Sequence, residues 1–201
     1  DPRRTPTAEA ATLHLAPQPG TDLALANGML FVALDEGLVD KAYIGERTNG
    51  FDEVQAAVSA WWPGRVERLT GVSEPDLRAA VRLLAVPRAM VLTARGAEQH
   101  AHGVATATAW LNLALALGLP GRPFAGWGTL TGQGNGQGGR EHGQQADQLP
   151  GYRSISDPAA RAHVAGVWGI DPQDLPGPGR SAYELLDALG DGGGPSALLV
   201  F

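Results

Sequence analysis

Between Leu130 and Gly143 the chain reads Leu-Thr-Gly-Gln-Gly-Asn-Gly-Gln-Gly-Gly-Arg-Glu-His-Gly, and across residues 118–153 eleven of 36 positions are glycine. Ordering so many glycines costs more backbone entropy than ordering any other residue type. Two readings fit such a run. One is a flexible linker; the other is a loop that lays its backbone against a large polar ligand and offers N–H groups to an anion. The spacers are Gln, Asn, Arg, Glu and His instead of Ser, and Phe124, Trp127, Leu149 and Tyr152 flank the run. A Walker loop is excluded, because no Lys-Ser or Lys-Thr follows the glycines. The Rossmann fingerprint is also set aside, since no dinucleotide-type strand is evident before the run.

Around this run the periodicity is that of α/β structure. Leu23, Ala26, Leu30 and Leu34 predict an amphipathic helix from Asp22 to about Glu36, stopped by Gly37. Short helices are expected near 40–46 and 51–60, before a break at Trp61-Trp62-Pro63-Gly64, and Ser73 caps a further helix through Leu84. Thr12 to Leu15 alternates as a short strand would. Residues 88–94 have the form of a buried parallel strand, and an apolar helix follows from Gly103 to Leu117. This is a βα unit of an open sheet, where ligands bind beyond the carboxyl ends of strands.

Later in the chain, Asp157-Pro158 opens a helix that Trp168-Gly169-Ile170 ends. Ser181 and Glu184 form a capping box for a helix over 183–189. Ala197 to Phe201 reads as the middle of another strand. The expected division is a nucleotide-binding lobe over 1–132 and a partial second lobe over 133–201.

Composition narrows the chemistry. Cysteine is absent, which removes disulfides, thiolate metal ligands and Cys nucleophiles from this chain. The net charge is -6, with basic residues scattered, so a nucleic-acid partner is disfavoured. No apolar stretch is long enough to span a membrane. The chain begins Asp1-Pro2-Arg3-Arg4 without an initiator Met or leader, and the reading is a piece of a longer protein.

Several residue groups have both a plain and a chemical reading. Arg95-Gly96-Ala97-Glu98-Gln99-His100-Ala101-His102 puts a cation, a carboxylate, an amide and two imidazoles after the 88–94 strand. This is either an inert turn or a ligand-facing loop; no third residue makes His-x-His a zinc site by spacing. Asp1 sits in an ordinary turn or at a strand end facing a nucleotide. Asp22 is a helix cap or a carboxylate for a guanine edge. Glu141, His142 and Asp147 suggest acid/base chemistry, but their glycine surroundings favour loop hydrogen bonding.

Taken in order, the phrases at 95–100 and 130–143, with Ala146-Asp147-Gln148-Leu149-Pro150-Gly151-Tyr152, resemble the molybdopterin oxidoreductases of the DMSO reductase superfamily, and most of all its assimilatory nitrate reductase branch. Asp1-Pro2-Arg3-Arg4-Thr5, Pro19-Gly20-Thr21-Asp22 and 182–189 match the same pattern, so the likeness covers nearly the whole chain.

The resemblance implies a fold made of parts of two open, mostly parallel α/β lobes joined by a glycine-rich cofactor loop, as in formate dehydrogenase and DMSO reductase. It implies a molybdenum bis(molybdopterin guanine dinucleotide) cofactor. Asp1 and Arg3 would lie near one nucleotide, and Asp22 at its guanine. Gly96, Glu98, Gln99 and His100 would lie beneath a pyranopterin. Thr131, Gly132, Gly134, Asn135 and Gln137 would cross close to the metal, with Gln133 and Arg140 nearest substrate.

It further implies nitrate reduction to nitrite, an electron donor such as ferredoxin or a flavoprotein, and a cytoplasmic location. A [4Fe-4S] cluster and the protein ligand to molybdenum would lie upstream of Asp1. The chain alone would then hold only part of the cofactor surface. Formate dehydrogenases of the superfamily carry Arg where this chain has Thr131, which points away from formate oxidation. Two alternatives stand beside this reading: a formate dehydrogenase-like or periplasmic nitrate reductase-like molybdoenzyme, and a nucleotide or pterin binding module without redox activity.

Overall fold

The computed structural model describes residues 1–199, which divide into two compact units, 1–132 and 133 onward. The fold is mixed α/β, with its parallel sheet in the first unit.

Unit one begins with α1 (Pro6–Ala10), which Thr5 caps by accepting a hydrogen bond from Ala8 N. The alternation at 12–15 does not pair into a strand; those residues run as bends and irregular backbone. The centre of the unit is α2 (Asp22–Asp35). Ala26, Leu30, Val32 and Ala33 are fully buried on it. Helix α2 is thus apolar around most of its circumference, not amphipathic, as expected of a helix surrounded by others. Leu23 and Leu34 are only half-buried, while Leu25, Met29 and Val32 join the core.

Helices α3 (Lys41–Arg47), α4 (Phe51–Val58), α5 (Pro63–Thr70) and α6 (Glu74–Leu84) follow, and α4, α5 and α6 pack on α2. The break expected at Trp61–Gly64 is instead the start of α5. Proline at the first helical position lacks only a donor that would be unpaired anyway. Gly71, with φ 75°, closes that helix, and Ser73 caps α6 by accepting from Asp76 N at 3.3 Å.

Strand β1 (Met90–Ala94) leads through α7 (Arg95–Glu98) into α8 (Gly103–Ala116), which packs on both α2 and β1. Strand β2 (Gly126–Leu130) pairs with β1 in parallel, from Met90 opposite Gly126 to Ala94 opposite Leu130. A strand therefore does precede the glycine run. Val91 and Thr93 are buried under α8, whereas Met90 and Leu92 remain about half exposed, so β1 is covered on one face only among the described residues.

Unit two opens with the glycine run, whose middle forms α9 (Gly136–Glu141). A short antiparallel ladder joins β3 (Gln148–Leu149) to β4 (Arg153–Ser154). Helix α10 (Pro158–Trp168) starts at Asp157 and ends at Gly169, φ 70°. Leu149, Ile155, Ala160, Val164, Ala165 and Leu175 make the core of this unit. Helix α11 (Ala182–Asp187) carries the complete Ser181–Glu184 capping box. Of the strand expected at 197–201, residues 197–199 are unpaired and the last two lie outside the described residues.

Candidate functional site

The parallel register settles which segments meet. Because Ala94 and Leu130 are partners at the ends of β1 and β2, the segment after each strand leaves the same carboxyl edge of the sheet. Arg95 to His100 and Thr131-Gly132 are thereby neighbours, which is where open α/β sheets bind ligands.

Within the 95–103 segment the side chains divide by exposure. Arg95, Gly96 and Gln99 are exposed at the edge, while Glu98 and His100 are half-buried and turned back onto the protein. The hydroxyl of Thr93, a residue only 4% exposed, donates to Glu98 Oε1 at 2.6 Å. His100 Nδ1 accepts from His102 N–H at 3.2 Å, and its Nε2 lies 3.4 Å from Thr106 Oγ1. The two imidazoles stand edge to face with centroids 6.5 Å apart. A Cβ on Gly103 would overlap the Glu98 carbonyl, so the segment lies directly on the start of α8. Of the four residues expected beneath a pterin, Gly96 and Gln99 are exposed, and Glu98 and His100 bond back to Thr93 and Thr106.

A separate cleft of about 570 Å3 in the same unit brings Asp1 and Asp22 together with Thr5, His14, Leu84 and Trp110. Asp1 Oδ1 accepts from Arg3 N at 2.9 Å, closing a turn, and His14 Nε2 donates to the Asp1 carbonyl at 2.7 Å. Arg3 itself is exposed. Asp22 is not the cap of α2. Thr21 holds that position, and Asp22 occupies the first turn, where the helix dipole favours a negative charge. Its carboxylate makes no hydrogen bond among the described residues and lines the cleft.

In unit two, Gln133, Gly134, Asn135, Gln137 and Arg140 lie on or beside α9. Asn135 Oδ1 caps the helix by accepting from Gly138 N at 3.2 Å, and His142 Nδ1 donates to the Gly138 carbonyl at 2.7 Å. His142 thus serves loop hydrogen bonding. Tyr152, held at φ 58°, donates its hydroxyl to the Gln137 carbonyl at 3.4 Å, and Gly151 N donates to Glu141 O. The Arg140 guanidinium is exposed and makes no ion pair among the described residues.

Sequence reasoning missed Thr93 and Thr106, and named Tyr152 only as a flank of the glycine run. Thr106 follows His102 by one helical turn, a spacing that could have revealed it.

The sequence matches the molybdopterin oxidoreductase family over residues 1–176. It is 48% identical to the assimilatory nitrate reductase catalytic subunit of Bacillus subtilis over 96% of this chain and 27% of that protein. Identity to formate dehydrogenase H of Escherichia coli is 39%, over 93% of this chain and 26% of that protein. A nitrate reductase of Synechocystis is 37% identical over 94% of this chain and 27% of its own length. The chain therefore spans about a quarter of the curated relatives it matches. Among solved structures, acetylene hydratase from Pelobacter acetylenicus aligns with TM-score 0.57 and 30% identity, covering 59% of this chain and 16% of that one.

Proposed function

The chain belongs to the molybdopterin oxidoreductase family, and from that premise we propose that it forms part of the cofactor cradle of an enzyme reducing nitrate to nitrite. A molybdenum–pterin cofactor goes with the family. We propose the bis(molybdopterin guanine dinucleotide) form, with the first unit belonging to a nucleotide-binding lobe and the second to its partner lobe.

The residues fit such a group. The observation that carries the reading is Asp22: a carboxylate without a hydrogen bond among the described residues in a cleft of about 570 Å3 that the aromatic Trp110 also lines. A purine ring needs a flat apolar wall, and the guanine N–H edge needs an acceptor. Asp1 and Arg3 would hold the ribose and phosphate side of the same nucleotide. At the carboxyl edge, Gly96 lets the backbone approach a pterin closely, and Gln99 offers both a donor and an acceptor. Glu98 and His100 shape that edge from behind.

When bound, the cofactor supplies two-electron oxygen-atom transfer; overall, nitrate plus two electrons and two protons gives nitrite and water. The chain's own part is to bind, orient and exclude water. Thr131 to Gln137 would cover the reacting centre, and the Arg140 fork would hold an oxyanion through paired N–H donors, with Gln133 beside it. For the complete protein we propose a [4Fe-4S] cluster outside this chain, a ferredoxin or flavoprotein as electron donor, and a cytoplasmic location. No helix among the described residues is long and apolar enough to cross a membrane.

The test is purification of the full-length protein, with molybdenum and guanine measured per polypeptide and nitrate and formate each offered as substrate. Expected are stoichiometric molybdenum, guanine released on acid treatment, and nitrite formed from nitrate. Full molybdenum loading with formate oxidation and no nitrite would move the protein to the formate dehydrogenase-like alternative. Guanine or pterin without molybdenum would favour the binding module.

A further inference from the structure

We propose that Thr106 is a positioning residue for the cofactor edge, acting through His100. Its side chain is fully buried in the first turn of α8, and its hydroxyl donates to the His102 carbonyl at 3.0 Å. With that proton committed, the Thr106 oxygen can only accept at its other contact. His100 Nδ1 is likewise committed as acceptor of the His102 N–H. The imidazole proton therefore sits on Nε2 and is donated to Thr106 Oγ1 across 3.4 Å.

These three bonds form one closed circuit, Thr106 to His102, His102 to His100, and His100 to Thr106. It clamps the exit of the 95–100 segment to α8, while Thr93 and Glu98 clamp its entrance to β1. Between the two clamps, Gly96 and Gln99 face outward. The close approach of the Glu98 carbonyl to Gly103 fixes the height of the segment over the helix. The edge is thus shaped before any ligand arrives, and a pre-shaped surface binds without the entropy cost of ordering.

The inference rests on the reading that residues 95–100 meet the cofactor, and the experiment separates the two. Amide hydrogen exchange is compared between cofactor-loaded and cofactor-free full-length protein. Cofactor release from loaded protein is timed by the appearance of free guanine nucleotide. In the unsubstituted protein, loading is expected to protect residues 95–100. Equal exchange in both forms would overturn that reading and this inference with it.

If that footprint is present, Thr106→Val should remove the clamp with little change in volume. We expect faster exchange at 97–103 in the cofactor-free form and cofactor release accelerated about tenfold. Thr106→Ser, which keeps the hydroxyl, should restore release to within about twofold. His100→Leu breaks the same contact from the other side, and its effect should not add to that of Thr106→Val. A footprint with unchanged release in Thr106→Val would overturn the positioning role alone. So would additive effects of the two substitutions, or a Ser variant no better than Val. If Thr106→Val does not accumulate, the Ser and His100→Leu variants carry the same test.

Discussion

Ala94 and Leu130 stand opposite one another at the ends of two parallel strands, although α8 and a loop separate them in sequence. That single pairing places the 95–100 segment and the entry to the glycine run on one edge, apart from the cleft that holds Asp1 and Asp22.

Arg140 is exposed, without an ion pair among the described residues, while its neighbours Gly138 and Gly139 pack against the Asn135 and Gln144 side chains. If it holds nitrate mainly as the transition state forms, Arg140→Ala should lower kcat more than it raises KM. A charge-assisted hydrogen bond is worth roughly 1.5–3 kcal/mol, which predicts a loss of about 10- to 100-fold. Arg140→Lys keeps the charge but not the fork and should recover part of it. Steady-state nitrate reduction per bound molybdenum in the full-length enzyme checks this. Unchanged turnover in the Ala variant would remove Arg140 from the substrate site.

Asp22→Asn replaces one acceptor oxygen of the cleft by a donor group and removes the charge. Two guanine N–H groups would then face a poorer acceptor, and binding should weaken by about 10- to 100-fold. Guanine content after extensive dialysis measures it. Full retention by the Asn variant would place the guanine elsewhere.

Gly28 lies where α2 crosses α5, and a Cβ there would stand 2.5 Å from one γ-methyl of Val66, which is fully buried. Alanine is the better helix former by about 1 kcal/mol, but overpacking at such a crossing costs about 1–3 kcal/mol. Gly28→Ala should therefore destabilise the protein by up to roughly 2 kcal/mol in chemical denaturation. Adding Val66→Ala should give less than the sum of the two single losses, because the second change makes room for the first.

Arg161 on α10 donates to four backbone carbonyls, those of Ile155, Pro172, Leu175 and Pro176, at 2.6–3.2 Å. No carboxylate among the described residues is involved; the guanidinium gathers a turn-rich stretch that has few ladder bonds of its own. Its removal in Arg161→Ala should cost about 1.5–3 kcal/mol. Lysine, a compact head with no fork, should recover little of it. Wild-type stability in the Ala variant would show the clasp to be idle.

Glu36 accepts hydrogen bonds from Arg82 and Arg78, which hold its carboxyl below the usual glutamate range. A carboxyl with a lowered folded-state pKa contributes its stability fully above the usual glutamate value and loses it as pH falls through the lower one. Acid unfolding should therefore begin at higher pH in Arg82→Ala than in the unsubstituted protein. Glu36→Gln should flatten the same limb. Identical acid limbs in all three proteins would show the pair to be without effect.

Much of the fold was legible because its signals are local. Ser73, Asp157 and Ser181 accept hydrogen bonds within a turn of their own positions, and Gly169 closes a helix by a conformation glycine adopts without strain. Such features depend on neighbours in sequence. The same holds for Met90 to Ala94, an apolar β-forming run, and for Gly103 to Ala116. The family phrases at 95–100 and 130–143 were legible as well, since a backbone that must approach a ligand closely leaves glycines in the sequence.

Tertiary structure decided the rest. Gly126-Trp127-Gly128-Thr129-Leu130 has two glycines in five residues and no strand signature of its own; it is a strand because β1 supplies partners in register. Leu25 and Met29 are buried in the core, while Leu34 only packs against it and Leu23 stays outside, because rotation about a helix axis is set by what packs on it. Glu98 and His100 carry the polar groups a ligand site needs, yet Thr93 and Thr106 turn them inward. No local spacing fixes where a side chain points once two polar groups compete for it. That competition is resolved only when β1, α7 and α8 are packed together.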